Sequence, residues 1–279
     1  MFLILCLIGG TTYAVQKIGL TNSLPLWSAG MRFIIAGILM AVLTFCKEGF
    51  IPSKKNITTG ISYGLLYFAI PFGLVYWLGQ FLNSSLLSVL SSSVSVFAVI
   101  FNALFHNEQT TKAQLYGIFL SMLGVCIVFL DSIFCSYNAG ETLYLLVGIF
   151  AYCCAAYATA FLKHKINHIQ QNHFNTIALL TGGIILALAS LLLEDGIRTF
   201  SSYSLWALLY LSIAGSVLST KITTYLISQW NVAKVTAYRF ISPVISIAVG
   251  FFLWQESFNT HEIIGCIFII AGTFAINRQ

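Results

Sequence analysis

Charge is scarce in this chain, and one long stretch has none at all. Between Lys55 and Glu108 there is no Asp, Glu, Lys or Arg. The uncharged residues 56–107 would extend about 78 Å as a helix, at ~1.5 Å per residue. Because the hydrocarbon core of a bilayer is only about 30 Å thick, this run predicts two membrane crossings, with a turn at the polar residues of 80–85.

A water-soluble domain is also missing. Only 8% of the 279 residues are charged, 58% are hydrophobic and the mean hydropathy is +0.90, whereas about a quarter of the residues in soluble domains are charged. No basic region precedes the apolar residues that begin at Phe2, and no small-residue cleavage site follows Ile8. The N-terminus therefore predicts a retained first helix and not a signal peptide.

Metal-binding and disulfide patterns are absent as well. The chain has seven cysteines but no CxxC motif and no Cys/His spacing typical of a metal site. Most of the cysteines fall inside apolar runs, where a free thiol behaves as a small apolar side chain. We therefore predict no metal and no cofactor. The cysteines in apolar runs are Cys6, Cys126, Cys153, Cys154 and Cys266.

Apolar runs separated by polar breaks predict an all-α integral membrane protein with ten transmembrane helices. Each run is long enough to cross a bilayer, and every connection is short. The predicted spans are residues 2–20, 25–46, 57–79, 84–105, 112–130, 142–162, 172–193, 203–228, 232–254 and 260–277.

The basic residues of the connections predict the orientation, because Lys and Arg are enriched in cytoplasmic loops. With both termini in the cytoplasm, eight basic residues face that side and only Arg198 faces the other. The net charge of +5 comes largely from this asymmetry, so it does not indicate nucleic-acid binding. The cytoplasmic set is Lys47, Lys54, Lys55, Lys112, Lys163, Lys165, Lys234 and Arg278.

The chain also contains an internal repeat. A shift of 148 residues lays the end of the first half on the end of the second, which predicts two five-helix repeats at 1–131 and 142–277. Because five is odd, the two repeats would enter the membrane from opposite sides. Inverted repeats are a hallmark of secondary transporters, which hold substrate between the halves. The matched pairs are Asn83 and Asn231, Val96 and Val244, Glu108 and Glu256, Gly117 and Gly265, and Gly124 and Gly272.

Several short motifs carry a family resemblance along nearly the whole chain. They are Gly9-Gly10-Thr11-Thr12-Tyr13-Ala14-Val15-Gln16-Lys17, Arg32-Phe33, Asn107-Glu108 with Gly117 and Gly124, and Ser242-Pro243-Val244 followed by Gln255-Glu256, Gly265 and Gly272. Through them the chain resembles the EamA-type members of the drug/metabolite transporter superfamily. The resemblance implies a multi-pass protein of the bacterial inner membrane that moves an amino acid or a related small metabolite.

The chain also departs from the family pattern. The family often has Trp before the first glycine, where this chain has Ile8, and Glu-Pro in the ninth span, where this chain has Ser242-Pro243. The proline position of the fourth span is Ser95. These departures leave the implied fold intact, but the substrate of any particular family member cannot be assigned to this chain.

Basic residues in the spans are the first candidates for substrate binding, because a charge within a membrane usually faces a cavity or a partner. Arg239 lies in the ninth span and Lys221 in the eighth, whereas Arg32 and Lys17 lie toward the opposite side in the first half. Their functional interpretation is recognition of an anionic substrate. The alternative for Arg32 and Lys17 is that they extend to the lipid headgroups from the helix ends.

Aromatic residues and prolines complete the predicted site. Tyr13, Trp77 and Tyr238 are predicted to shape the pocket, since rings with a polar group suit small metabolites. Pro71 and Pro243 each remove a helix hydrogen bond within a span, and we predict that both serve as hinges.

Acids and histidines are missing from the interior of the spans. Because proton-driven carriers usually bury such a group, the sequence favours facilitated diffusion or exchange. A broad-specificity exporter of amphipathic compounds is the alternative, and a channel is the rival from another class. No nucleophile, metal cluster or pair of acids in the spans indicates an enzyme. The expected partners are a small metabolite and the lipid bilayer; a homodimer is left open.

Overall fold

The computed structural model describes residues 1–20, 23–49, 52–82, 84–106, 110–128, 139–254 and 260–278. Within these ranges the chain is helical and contains no strand. Seven of the described helices are long and apolar enough to cross a membrane, and shorter apolar helices cover Lys112–Val128 and Ile263–Asn277. The chain is therefore an all-helical, multi-pass integral membrane protein.

The described residues form ten helical segments, which we number in chain order. Each one coincides with a predicted span, and the described ends differ from the predicted ones by at most three residues. The segments are α1 (Phe2–Gly19), α2 (Pro25–Glu48), α3 (Lys54–Leu78), α4 (Ser84–His106), α5 (Lys112–Val128), α6 (Ala139–Lys165), α7 (Gln171–Leu193), α8 (Ser202–Gln229), α9 (Val232–Thr236 and Tyr238–Trp254) and α10 (Thr260–Asn277).

Local sequence explains several helix ends. The side chains of Ser53, Ser201 and Asn231 accept hydrogen bonds from backbone N–H groups in the first turns of α3, α8 and α9, which satisfies donors that the helix itself leaves unpaired. The last helical residue of α2 is followed by Gly49, whose φ of +80° favours glycine.

An acidic residue at the end of α7 caps the N-terminus of α2. The Glu194 carboxylate accepts hydrogen bonds from the backbone N–H groups of Leu26 (2.7 Å) and Trp27 (3.1 Å), where the helix dipole favours a negative charge. Arg198 donates hydrogen bonds to the carbonyls of Ser190 and Glu194 and so caps the C-terminus of α7. These two charges stabilise helix ends, away from the centre of the protein.

Two helices share an irregularity. Residues Gly64–Ala69 of α3 and Ile213–Leu218 of α8 are π-helical, and they occupy corresponding positions in the two halves. Single π-helical turns are rare and often lie at functional sites. One segment lies in each of the two predicted repeats.

Glycines bring α5 and α10 into close contact. A Cβ on Gly117 would lie 2.6 Å from the Gly272 carbonyl, and a Cβ on Gly124 would lie 2.6 Å from the Gly265 carbonyl. Only glycine allows such an approach of two backbones. The contact is reciprocal under the predicted repeat, which pairs Gly117 with Gly265 and Gly124 with Gly272.

The second large helix interface joins α2 and α7. Gly183 of α7 packs on Ile34, and Gly37 of α2 packs on Leu180. The glycines of α3 also pack against α7, with Gly60 next to Ile177. Corresponding helices of the two halves thus pack on each other.

The α5–α10 contact gives a direct stability test. Gly272→Ala would place a Cβ against the side chain of Ser121 and 2.6 Å from its backbone nitrogen. We expect a loss of about 1–3 kcal/mol, the usual cost of overpacking, measured as a lower melting temperature of detergent-purified protein. Gly19→Ala is the control, because its nearest neighbour would be Ala207 Cβ at 3.4 Å, and its melting temperature should not fall.

Candidate functional site

A cavity of about 60 Å³ lies at the centre of the helices, between both halves of the chain. The first half contributes residues of α1, α2 and α3, and the second half contributes residues of α8 and α9. Hydroxyl groups of Thr12, Thr220 and Thr223 line it together with aromatic rings and two arginines, Arg32 and Arg239. We call it the central cavity.

Arg239 is half-buried in the wall of the central cavity. Its Nη2 donates a hydrogen bond to the Tyr67 hydroxyl (2.8 Å), and its guanidinium carbon lies 5.4 Å from the centre of the Tyr238 ring. No described acidic side chain pairs with it. Because a guanidinium has five N–H donors and the described residues accept only one of them, Arg239 retains donors for a ligand.

A proline and two serines fix the turn of α9 that carries Arg239. Pro243 has no N–H, so the carbonyl four residues earlier, that of Arg239, lacks its helical partner. The Ser92 hydroxyl of α4 donates to this carbonyl at 3.1 Å. One turn along α4, the Ser95 hydroxyl donates to the Thr236 carbonyl at 2.8 Å. Helix α4 therefore holds the irregular backbone of α9 in place.

Arg32 is held much more completely than Arg239. Only 1% of its surface is exposed. Its Nε donates to the Ser216 hydroxyl (2.8 Å), its Nη1 to the Tyr76 hydroxyl (3.2 Å) and its Nη2 to the Gly215 carbonyl (3.0 Å). Its guanidinium also lies 5.1 Å and 5.3 Å from the ring centres of Phe33 and Phe72. Arg32 thereby links α2, α3 and the π-helical part of α8.

Helix α3 supplies an aromatic wall. Tyr63 and Tyr67 stack with ring centres 4.7 Å apart and an angle of 12° between their planes. Tyr67 and Phe68 both belong to the π-helical segment, and both line the central cavity together with Phe72. The irregular turn therefore presents two successive aromatic side chains to the same space.

Comparison with known proteins identifies the family. The model of the EamA-like transporter family matches residues 1–130 and again residues 142–278.

The chain belongs to the EamA-like transporter family. The inner membrane transporter YedA of Escherichia coli K12 is 26% identical over 92% of this chain and 83% of its own length. Salmonella typhimurium PagO is 23% identical over 98% of this chain and 90% of its own length. A Salmonella typhimurium protein named as a probable amino-acid metabolite efflux pump is 23% identical, over 98% and 92% respectively.

A protein of known crystal structure shares the fold, with a TM-score of 0.82 at 12% identity over 99% of this chain and 95% of the other. The family membership and the relatives confirm the resemblance predicted from the motifs. They also confirm the inner-membrane location and the prediction of a transporter instead of an enzyme. This EamA-like protein is a multi-pass membrane transporter.

Four of the predicted site residues meet at the central cavity of this EamA-like transporter. They are Arg239, Tyr238, Tyr13 and Arg32. The Tyr13 hydroxyl lies 3.2 Å from that of Tyr152, which is itself hydrogen-bonded to the Leu87 carbonyl. A Cβ on Gly9 would lie 2.7 Å from the Ser242 hydroxyl and 3.3 Å from Tyr238, so the family-like glycine lets α1 approach α9 beside the cavity.

The other predicted residues lie elsewhere. Trp77 is 37% exposed and packs on Phe81 and Tyr144, with ring centres 5.1 Å and 5.7 Å away. Lys221 is absent from the cavity wall, although Thr220 and Thr223 beside it are part of that wall. The structure thus separates Trp77 and Lys221 from the other four residues.

The predicted hinges lie within irregular parts of two helices. Pro71 follows the π-helical segment of α3 and is buried in its last part, and Pro243 lies inside α9. The residues that support the family resemblance at Glu108 and Glu256 lie outside the described residues, as does Asn83.

Sequence reasoning missed several groups of the cavity wall. Tyr63 and Tyr67 recur at a four-residue spacing before Pro71, a pattern that places both on one face of a helix. Thr220, Thr223 and Thr224 surround Lys221 in α8, and all three line the cavity. These clusters of aromatic and hydroxyl side chains within apolar spans were the available signal.

Proposed function

We propose that this transporter carries a small metabolite with an anionic group, an amino acid or a related carboxylate, across the inner membrane by alternating access. The observation that carries the proposal is the Arg239 guanidinium, which faces a cavity between the two halves and has no described acidic partner. Transport is facilitative or exchange-driven and runs outward.

The charge of the cavity supports an anionic substrate. An unpaired charge is costly to hold away from water, and a carboxylate that binds a guanidinium through two parallel hydrogen bonds offsets that cost with a defined geometry. Hydroxyls of Tyr13, Thr220 and Thr223 can take the remaining polar groups of a metabolite. The aromatic wall of α3 suits its apolar part.

Tyr67 is expected to orient Arg239 for this task. Tyr67→Phe removes the acceptor of the 2.8 Å hydrogen bond from Arg239. Since one hydrogen bond contributes about 1 kcal/mol, we expect about fivefold weaker substrate binding with an unchanged melting temperature. Tyr225→Phe makes the same change at a 46% exposed position of α8 and should leave affinity unchanged. Equal or tighter binding by Tyr67→Phe would mean that Tyr67 competes with the substrate.

The topology belongs to the same proposal: ten crossings, both termini in the cytoplasm, and two inverted repeats at 1–131 and 142–277. Three observations support it. The basic residues of the connections favour one side, the π-helical segments recur in both halves, and the α5–α10 contact is reciprocal. A reciprocal contact is the expected signature of a two-fold relation between the halves.

The small volume of the central cavity supports alternating access. Its 60 Å³ is about the volume of two water molecules in the liquid, at ~30 Å³ for each. The walls must therefore separate for a metabolite to enter. Pro71, Pro243 and the two π-helical segments are the points where the helices lack regular hydrogen bonds, and we propose that they bend during this motion.

The proposal that transport is not coupled to protons follows from the groups that line the cavity. Its wall contains arginines, tyrosines, threonines and apolar residues, and no described Asp, Glu or His. Without a group that changes charge near neutral pH, a proton gradient has nothing to act on. The outward direction draws on the Salmonella typhimurium relative named as a probable amino-acid metabolite efflux pump.

The aromatic wall favours a second candidate, a broad-specificity exporter of amphipathic compounds. Such compounds could bind by burial of apolar area against the six aromatic side chains of the cavity wall, which are Tyr13, Tyr63, Tyr67, Phe68, Phe72 and Tyr238. In that case Arg239 would be dispensable for transport.

A ligand screen tests the proposal. Ligands that bind the folded state raise the melting temperature by mass action, so purified protein is heated with amino acids, organic acids, nucleotides, sugars and amphipathic cations. We expect stabilisation by carboxylates that disappears in Arg239→Gln. Stabilisation by amphipathic cations alone would overturn the anionic substrate and support the second candidate.

A further inference from the structure

A second and larger cavity, of about 410 Å³, lies between the start of α3 and the end of α6. It shares no wall residue with the central cavity. Helix α3 contributes Lys55, Thr58, Thr59 and Ser62, and the end of α6 with the turn after it contributes Phe161, Lys165, His168 and Ile169. We call it the basic cleft.

Two lysines reach the basic cleft from two separate helices, and a histidine lies beside them. Lys55 comes from α3, and Lys165 and His168 come from the end of α6 and the turn that follows. The side chains of these three residues make no hydrogen bond or ion pair with the described residues, and no described acidic side chain lines the cleft. Two lysines held on either side of one cavity repel each other unless an anion lies between them.

The hydroxyl groups of the cleft indicate what kind of anion fits. The Thr58 hydroxyl donates to backbone carbonyls of its own helix, so its donor is used. Thr59 and Ser62 have no hydrogen-bond partner among the described residues, and both line the cleft. Two ammonium groups with two further hydroxyl donors match an anion with several acceptor oxygens and more than one negative charge, which describes a phosphate.

We propose that the basic cleft binds a phosphate-bearing anion. Lys55 and Lys165 supply the charge, and Thr59 and Ser62 donate to phosphate oxygens. The cleft lies on the side that the positive-inside rule assigns to the cytoplasm, so the phosphate can come from an anionic lipid of that leaflet or from a soluble phosphate. Basic pockets between transmembrane helices on this side are suited to lipid headgroups.

The surroundings of the cleft suit a lipid as the source. Ile57, Ile61 and Leu65 follow one another along α3 beside the cleft residues, and they are 39%, 47% and 41% exposed. An acyl chain attached to a phosphate in the cleft can lie along this apolar strip. A soluble phosphate makes no use of it.

Binding to purified protein in nanodiscs of neutral phosphatidylcholine tests the proposal and separates the two sources. Three ligands are titrated at fixed ionic strength: phosphatidylglycerol, inorganic phosphate and glycerol 3-phosphate. Affinity is measured by native mass spectrometry for the lipid and by thermal shift for the soluble anions. Lys55→Gln and Lys165→Gln are compared with Lys112→Gln, the same change at an exposed position on the same side.

A lysine that faces an anionic headgroup contributes about 1 kcal/mol, or about fivefold, to its binding, and Lys112 is not part of the cleft wall. We therefore expect each cleft variant to weaken phosphatidylglycerol binding about fivefold and the double variant about 25-fold, with Lys112→Gln unchanged. The same pattern for inorganic phosphate or glycerol 3-phosphate alone would support the site with a soluble anion as its ligand. Equal affinities of wild type, cleft variants and Lys112→Gln for all three ligands would overturn the proposal.

Removal of either lysine side chain leaves no described polar group without a hydrogen-bond partner, so we expect the variants to fold like the wild type. Lys55→Arg, which keeps the charge, should restore most of the affinity. Phosphatidylglycerol is too large for the central cavity of about 60 Å³, so its binding in Arg239→Gln should equal that of the wild type. The lipid titration therefore tests the basic cleft independently of the central cavity.

Discussion

Arg239→Gln is expected to weaken binding of the anionic substrate by at least about 30-fold while leaving the fold intact. Removing one partner of a buried, hydrogen-bonded charge pair costs about 2–5 kcal/mol, which corresponds to a factor of about 30 or more in affinity. Among the described residues the Arg239 side chain makes a single hydrogen bond, to Tyr67, so the melting temperature without substrate should change little. The concentration dependence of exchange in proteoliposomes measures the loss.

Two variants control this experiment. Arg278→Gln makes the same change at the exposed end of the chain and should transport like the wild type. Arg239→Lys keeps the charge but loses the planar guanidinium that matches a carboxylate, so its affinity should fall between those of wild type and Arg239→Gln. Unchanged exchange of an anionic substrate by Arg239→Gln would refute charge recognition at this position.

Arg32→Met is expected to destabilise the protein, in contrast to Arg239→Gln. The change removes the donors to Tyr76, Ser216 and the Gly215 carbonyl in a fully buried place. The Ser216 hydroxyl keeps its hydrogen bond to the Leu211 carbonyl, so the Tyr76 hydroxyl and the Gly215 carbonyl are the two groups that lose a partner. Each polar group left without a partner costs about 1–3 kcal/mol, so these two cost about 2–6 kcal/mol. At about 2–4 °C per kcal/mol, the melting temperature of detergent-purified protein should fall by about 5 °C or more.

The Arg32 result has its own control and its own contrary outcome. Arg278→Met, at an exposed position, should keep the wild-type melting temperature. If Arg32→Met melted like the wild type but no longer bound substrate, Arg32 would be a substrate-binding residue and its three hydrogen bonds would contribute little to stability. The two arginines can therefore be assigned separate roles from a melting curve and a binding curve of each variant.

The helix boundaries could be predicted because the bilayer imposes a length and a polarity on every span. The π-helical segments could not, since GLLYFA and IAGSVL are apolar like their surroundings. The segment of α8 also makes a tertiary contact, because Gly215 and Ser216 accept hydrogen bonds from Arg32, a residue on another helix and in the other half of the chain. No local pattern encodes that contact.

The site was predicted only in part because the rotation of a helix is hard to read when nearly all of its faces are apolar. Trp77 shows this limit. Its neighbour Tyr76 is buried and accepts a hydrogen bond from Arg32, whereas Trp77, about 100° further around the helix, packs on Phe81 and Tyr144. Lys221 and Thr220 differ in the same way, and only Thr220 lines the cavity.

Arg32 and Arg239 look alike in the sequence, each a lone arginine in an apolar span. Their difference lies in distant residues. The π-helical turn of α8 supplies acceptors for Arg32, whereas Pro243 and Ser92 act on the backbone of Arg239 and leave its side chain facing the cavity. The sequence shows that both positions are arginine, but only the folded structure shows which groups accept hydrogen bonds from each side chain.

Exchange across a proteoliposome membrane is the most direct measurement of the central claim. Vesicles are loaded with the stabilising carboxylate, and uptake of the labelled compound is followed with and without a protonophore. We expect saturable uptake that internal substrate accelerates, that the protonophore leaves unchanged, and that Arg239→Gln lowers at subsaturating substrate. Uptake that does not saturate, is indifferent to internal substrate and is the same in Arg239→Gln would contradict alternating access through the central cavity.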